Sequence, residues 1–349
     1  MSVSEGGRAV GAEHQPVSGR PTLEAVAARA GVGRGTVSRV INGSPKVSAK
    51  ARDAVLRAVE ELGYVPNRAA RSLVTRRTDT VALVVSESEE RIFAEPYFAG
   101  IIRGIGSALS ETGLQLILAM AQTREDHERL ETYLAGRHVD GVLMISMHGG
   151  DPLWERLERI GVPVVLGGRP PGAASVSYVD ADNRAGARQA VRYLAERGRR
   201  RIAAIAGPQD MGVGVDRLAG YRDALAAAEL PELVAYGDFS EQSGVEAMRA
   251  LLAEHGDLDA VFTASDPMAV GAMRVLREQG RSIPGDVAVI GFDDSPVAAH
   301  ADPPLTTVHQ PAEQMGRQMA HLLVTRINGE RSEQSVLILD THLVVRASA

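Results

Sequence analysis

The sequence predicts a two-part chain: an all-α headpiece of helix-turn-helix type, followed by an α/β body built on parallel sheets. Three observations predict this. The stretch from Thr22 to Leu73 has the apolar spacing of short helices broken at glycines. After Thr78, short apolar runs alternate with helical stretches, the βαβα pattern of parallel sheets covered by helices on both faces. Charge divides at the same place. Residues 1 to 78 hold thirteen Lys and Arg against six Asp and Glu, and the remainder holds twenty-five against thirty-eight. A basic front on an acidic body suits a module that meets phosphate joined to a body that repels it.

The elements follow in order. Residues 1 to 20 are polar and Gly-rich with no apolar run, and read as a disordered tail, not a signal peptide. A helix from Leu23 to Ala30 meets a turn at Gly31, and a second runs from about Arg34 to Ile41. Val26, Ala30, Val32, Val37, Val40 and Ile41 can close one small core. The face left over carries Arg34, Thr36, Ser38 and Arg39, the layout of a recognition helix entering a major groove. Ser48 is placed to cap a third helix with apolar positions at Val55, Val59 and Leu62. Gly63-Tyr64-Val65-Pro66 is a helix stop, and Asn67-Arg68-Ala69-Ala70-Arg71-Ser72-Leu73 follows.

In the body, candidate strands are Val81 to Val85, Leu114 to Ala119, Gly141 to Ile145, Val162 to Leu166, Arg201 to Ala206, Ala260 to Thr263 and Val287 to Gly291. Helical patterns lie between them: Phe98 to Ser110, Glu125 to Ala135, Asp151 to Arg159, Asn183 to Arg197, Arg217 to Ala228, Ser240 to Glu254, Met268 to Gln279 and Pro311 to Ile327. There are strands enough for two parallel sheets, and ligands in such folds bind beyond the carboxyl ends of strands.

Several function classes are excluded. The 349 residues contain no cysteine, so disulfides, thiolate nucleophiles and cysteine metal sites are ruled out. No run of 18 apolar residues occurs, which makes the cytoplasm the expected compartment and leaves no membrane partner. The strand Val81 to Val85 leads into Ser-Glu-Ser-Glu-Glu, which repels phosphate, and no dinucleotide fingerprint or P-loop is present. His-Glu-x-x-His and Gly-x-Ser-x-Gly are also absent, so neither an enzyme nor a cofactor or metal is expected. A secreted sugar-binding protein would carry a signal peptide and no basic headpiece. A sequence-indifferent DNA binder would not need so large a ligand-type body.

The strings TVSRVINGSPKVSAKAR and GYVPNRAARSL resemble the headpiece of the lac repressor (LacI/GalR) family of bacterial transcription regulators. The likeness continues through PYFAGIIRGI, DNRAGARQAVRYLAERG, RIAAIAGP, DRLAGYRDAL, VFTASDPMAVGAMRVLREQG, PGDVAVIGFDDSP, PPLTTVHQP and HLVVRAS. It implies a helix-turn-helix domain over 21–66, a hinge helix and linker over 67–78, and an effector and dimerisation domain over 79–349. That domain would be similar to periplasmic sugar-binding proteins, with two lobes and a cleft between. Its chain crossings should fall near Val179, Val308 and Arg326, giving lobe one as 79–179 plus 309–326 and lobe two as 180–308 plus 327–349.

The resemblance also implies roles. Arg39 should reach a guanine edge, where arginine pairs with O6 and N7. Arg34 and Gly35 occupy positions that vary with operator sequence, and Gly35 removes one side-chain contact. Thr22, Thr36, Ser38, Asn42 and Ser48 suit phosphate and sugar contacts, and Tyr64, Asn67 and Ala70 join the DNA-binding set. Leu73 matches a leucine that wedges into the minor groove from a hinge helix too short to be stable alone. Arg217 and Asp293 should hold ligand hydroxyls, with Phe98 an aromatic at the cleft mouth and Ser265 where many relatives have Asn. Phe93 and Trp154 are weaker candidates. Gly167 stands where several relatives carry an acid, with Arg169 nearby as a replacement. The expected partners are double-stranded operator DNA, a small-molecule effector favouring a sugar over a purine, and a second copy of the chain. With no heptad tail after Arg346, a dimer is expected rather than a tetramer.

Overall fold

The computed structural model of the chain describes residues 21–65, 77–150, 152–170, 176–330 and 334–349. The chain divides into two compact units, residues 1–76 and residues 77–349. The expected tail over 1–20 and the hinge positions Asn67, Ala70 and Leu73 lie outside the described residues.

In the first unit, α1 (Leu23–Ala30) and α2 (Arg34–Ile41) have the bounds that the sequence predicts, and α3 (Ala49–Leu62) follows. Their ends have local causes. The Thr22 hydroxyl accepts the Ala25 N–H at 3.2 Å, and the Ser48 hydroxyl accepts the Ala51 N–H at 3.4 Å. Such caps each contribute about 1 kcal/mol. Gly31 closes α1 at φ 65°, a left-handed conformation that favours glycine. Val26, Val37 and Val55 are fully buried and pack with Ala58 and Tyr64 into one small core.

The second unit is doubly wound. Its first lobe begins with β1 (Thr80–Val85), the short α4 (Glu89–Ala94), α5 (Pro96–Leu109), β2 (Gln115–Met120), α6 (Arg124–Ala135), β3 (Gly141–Ile145), α7 (Leu153–Arg159), β4 (Val164–Gly167) and β5 (Ser177–Ala181). The second lobe runs through α8 (Asn183–Glu196), β6 (Ile202–Ala206), α9 (Gly212–Ala228), β7 (Leu233–Tyr236), α10 (Glu241–Glu254), β8 (Ala260–Thr263), α11 (Asp266–Glu278), β9 (Ala288–Asp293), α12 (Pro296–His300) and β10 (Thr306–His309). Then α13 (Ala312–Ile327) and β11 (Val336–Leu339) return to lobe one, and β12 (His342–Val344) closes lobe two.

The sheets read β11-β5-β4-β3-β1-β2 and β12-β10-β9-β8-β6-β7. Every pairing is parallel except β10 with β12. Strands covered on both faces read as continuous apolar runs, as in TVALVV of β1 and GVLMI of β3. Helices α5 and α13 lock together by close approach. A Cβ on Gly104 of α5 would stand 2.0 Å from the Glu313 carbonyl oxygen of α13, and one on Gly316 would stand 2.2 Å from that of Ile101. Among the described residues no helix is long and apolar enough to cross a membrane.

The third crossing corrects the sequence reading. It was expected near Arg326, but β11 pairs with β5 in the first sheet, so the chain leaves lobe one only between Leu339 and His342. Helix α13 packs on the strands of lobe one, and Arg326 at its end forks onto Glu158 there (2.7 and 2.9 Å), which keeps the chain in that lobe. Strands β5, β7, β10, β11 and β12 were not anticipated. Polar side chains interrupt β5 and β10, and their burial is satisfied internally. The Thr306 hydroxyl accepts the Arg346 N–H at 2.9 Å, and the Thr307 hydroxyl donates to Asp266 at 2.5 Å.

Candidate functional site

On the headpiece, α2 buries Val37 and Val40 and turns Arg34, Gly35 and Arg39 to solvent, with Thr36 and Ser38 partly exposed. The Arg34 guanidinium rests 3.2 Å from Glu24 of α1, an exposed pair that phosphate or a base can displace. Asn42 donates to the Ser38 hydroxyl at 3.4 Å. Thr22 and Ser48 are exposed caps whose hydroxyl hydrogens remain able to donate to a phosphate oxygen. A Cβ at Gly35 would meet nothing nearer than the Arg39 guanidinium at 4.0 Å, so packing does not demand glycine there. Tyr64 departs from the other described members of the DNA-binding set: it is buried in the headpiece core.

In the body, the strand order reverses between β3 and β1 in one sheet and between β8 and β6 in the other. Ligands bind at such switch points, beyond the carboxyl ends of the strands. A cavity of about 670 Å³, partly open to solvent, lies there with walls from both lobes.

The floor is built on lobe two. Helix α9 starts at Gly212, five residues before the predicted start, so Arg217 sits in its second turn and is 3% exposed. Its Nε donates to Asn183 at 2.9 Å, Nη1 to the Ala264 carbonyl at 2.6 Å and Nη2 to Gln310 at 2.6 Å. Its guanidinium also lies 3.1 Å from Asp293 and 3.6 Å from the Phe292 ring centroid. Asp293 ends β9 at φ 109°, a left-handed conformation that costs free energy for an aspartate and aims its carboxylate at the cavity. Burial pushes the Asp293 carboxyl up to about 6, against the opposing pull of Arg217. Beneath it, burial and the Asp293 charge push Asp266 up to about 8.

The predicted residues divide. Arg217, Asp293, Phe98 and Ser265 all line the cavity. Phe98 is buried in the lobe-one core, edge-on to Tyr97 at 5.4 Å, so only part of its ring faces the cleft. The Ser265 hydroxyl is engaged already, donating to the Phe239 carbonyl at 3.0 Å and accepting the Met268 N–H at 3.3 Å. Gly167 leaves no room for an acid: a Cβ there would stand 2.7 Å from Ile145 and 2.8 Å from the Met319 sulfur. Arg169 reaches instead across to Asp216 of lobe two. Trp154 packs against the lobe-one core, and Phe93 is 75% exposed outside this cavity.

Sequence reasoning missed Asp180, Gln310 and Glu95. Burial pushes Asp180 up to about 6 and Glu95 up to about 7, the latter against the neighbouring Arg91 charge. Asp180 and Gln310 flank the lobe crossings, in YVDADN and VHQP. Polar residues at a crossing were the available signal.

A helix-turn-helix headpiece and a two-lobed receptor-like body in one chain define a DNA-binding transcription regulator. Comparison with known proteins makes this specific. Residues 22–67 match the model described as bacterial regulatory proteins, lacI family, and residues 191–349 match a periplasmic binding protein-like domain. The chain is 63% identical over 334 residues to the HTH-type transcriptional regulator CelR of Thermobifida fusca, covering 94% of this chain and 98% of the relative. It is 36% identical over 335 residues to the transcriptional repressor PurR of Escherichia coli O139:H28, covering 94% and 96%. Among solved structures it is similar to a CelR–cellobiose complex, with TM-score 0.77, 60% identity and coverage of 95% and 100%. It is also similar to the lac repressor dimer bound to operator and the anti-inducer ONPF, with TM-score 0.85, 28% identity and coverage of 95% and 99%. The chain belongs to the lacI family of bacterial transcription regulators, and it is a regulator rather than an enzyme.

Proposed function

We propose that this regulator is a repressor that binds a palindromic operator as a dimer and releases it when a glucose-type oligosaccharide, represented by cellobiose, occupies the cleft. The cleft carries this reading. A guanidinium and a carboxylate form its floor and Phe98 and Tyr97 stand in its wall, the polar and aromatic pairing that suits a polyol ring. The similarity to the CelR–cellobiose complex supports the sugar, and the similarity to the operator-bound lac repressor dimer supports two-fold DNA binding.

The mechanism is a population shift. A sugar that binds one lobe arrangement better than another biases that arrangement. In a two-fold dimer each α2 reads one half-site, with Arg39 on a guanine edge and Arg34 released from Glu24 to base or phosphate. Residues 67–78 serve as the hinge, and Leu73 is the wedge whose unstacking cost is offset by the contacts that the bend allows. Coupling of about 1–3 kcal/mol would change operator affinity 5–150-fold.

Selection of bound duplexes from a random-sequence pool by the full-length protein tests the DNA half. A palindromic consensus is expected, and retention without a consensus would overturn it. Calorimetric titration with cellobiose tests the ligand half. Saturable heat in wild type that vanishes in Asp293→Ala is expected. No heat with cellobiose, or saturation by hypoxanthine instead, would overturn the sugar assignment.

A further inference from the structure

Away from the crossing segments, the two lobes touch around the rim of the cleft. Arg169 of lobe one forks onto Asp216 of lobe two. The Arg91 guanidinium lies 5.3 Å from the Phe239 ring centroid, and the Gly149 N–H donates to the Asp210 carbonyl at 2.9 Å. Beside them stands His148, just beyond β3, which does not line the cavity. Its Nδ1 is 2.9 Å from the Asp210 carboxylate of lobe two, and its Nε2 is 3.0 Å from the Glu87 carboxylate of lobe one.

That geometry fixes a protonation state. Neutral imidazole has one N–H and one lone pair, and a lone pair facing a carboxylate oxygen at hydrogen-bond distance is repelled. Only imidazolium donates to both partners. Glu87 is held in place from its own lobe by Ser146 at 2.5 Å and Arg91 at 2.7 Å. Asp210 belongs to the opposite lobe, so separating the lobes removes one of the two acceptors. We propose that His148 is a positioning residue for effector binding, which as imidazolium ties Glu87 to Asp210 and so couples closure of the cleft to proton uptake.

The surrounding charges agree. The Glu87 hydrogen bond raises the His148 proton affinity, burial opposes it, and Asp210 raises it again. Burial pushes Glu87 up, yet His148, Ser146 and Arg91 together hold it below the ordinary carboxylate range. On the other side of His148, His127, Glu128 and Glu131 of α6 and Arg156 of α7 line the adjoining recess, and Arg156 pairs with Glu131 at 2.5 Å. The Arg169–Asp216 pair gives a second contact between the lobes beside the titrating one. Because the proton is held more tightly with the lobes together, closure is favoured at lower pH and is lost as pH rises through the raised His148 value.

The ligand arm of this inference rests on the proposed sugar-binding function, and the test separates the two. The chain has no cysteine, so Glu155→Cys on α7 and Glu254→Cys on α10 give one spin label per lobe. Interlobe distances are measured in full-length protein, diluted with unlabelled chain, from pH 6.5 to 9, with and without cellobiose. Calorimetric affinities for cellobiose are taken in parallel. In wild type the short-distance population should fall as pH rises, with cellobiose affinity weakening roughly two- to fivefold, the range for a partly exposed ion pair. His148→Gln and Asp210→Asn should each flatten both responses. Glu95, Asp180, Asp266 and Asp293 also titrate near this window, so the comparison with the variants carries the test. An unchanged pH response in both variants, or none in wild type, overturns the proposal. If cellobiose does not bind at any pH, the sugar assignment fails, while the ligand-free distances still decide the role of His148.

Discussion

The headpiece and the cleft place their functional groups in opposite ways. On α2, Arg34 and Arg39 are exposed, their surroundings are local, and Arg34 pairs with Glu24 on the surface. In the cleft, Arg217 is buried and tied to Asn183, Ala264, Gln310 and Asp293, which come from segments far apart in the chain. The headpiece presents charge to a partner that brings its own. The cleft assembles charge in advance and holds Arg217 buried, which makes its residues structural and functional at once.

The largest expected effect breaks the cleft network. Arg217→Ala should remove cellobiose binding and also cost about 3–5 kcal/mol of body stability, the usual result of breaking a buried ion pair. Urea unfolding and calorimetry on the same sample would measure both, and lost binding with unchanged stability would contradict the dual role. On the headpiece the two should separate. Arg39→Ala should weaken operator binding by about 1–3 kcal/mol, with relaxed preference at one base position, and leave the unfolding midpoint unchanged.

The pH response sharpens the contrast. Asp293 is raised by burial to about 6, so the folded body holds its proton more tightly than the unfolded chain does. Its contribution to stability is therefore greatest at acid pH and declines as pH rises from the ordinary aspartate range through about 6. Ligand binding should run the other way. An ionised Asp293 is the better acceptor for a sugar hydroxyl, so cellobiose affinity should fall as pH drops below about 6. Parallel melting and titration series would show the two trends cross, and a common direction would contradict the assignment of Asp293.

The smallest effect belongs to Gly35. Glycine inside a helix costs roughly 0.5–1 kcal/mol relative to alanine, and the space around Gly35 is open. Gly35→Ala should stabilise the headpiece by that amount in thermal melts. Any loss of operator affinity in the same variant would show that the glycine is kept for close approach of the DNA backbone.

The same contrast explains what was legible in the sequence. Helix α1 could be bounded because its Thr22 cap, its Gly31 stop and its apolar spacing are all local, and α2 because its apolar spacing begins directly after Gly33. Arg217 and Asp293 could be named from the strings around them, but not the network that holds them, because Asn183, Ala264 and Gln310 meet only through the tertiary fold. Strand β11 was missed because VLIL is a run of only four residues and completes the sheet of the lobe that the chain was expected to have left. The burial of Tyr64 in the headpiece core was not legible, because a helix stop gives no sign of which side its ring faces. The lack of room at Gly167 depends on Ile145 and Met319, again distant in sequence.

The central claim is that the cleft controls the headpiece. Fluorescence anisotropy of full-length protein on the selected operator, with and without saturating cellobiose, tests it most directly in wild type and Asp293→Ala. The account predicts a loss of operator affinity between about 5- and 150-fold in wild type, and no response in the variant. Calorimetric binding of cellobiose with no change in operator affinity would contradict it.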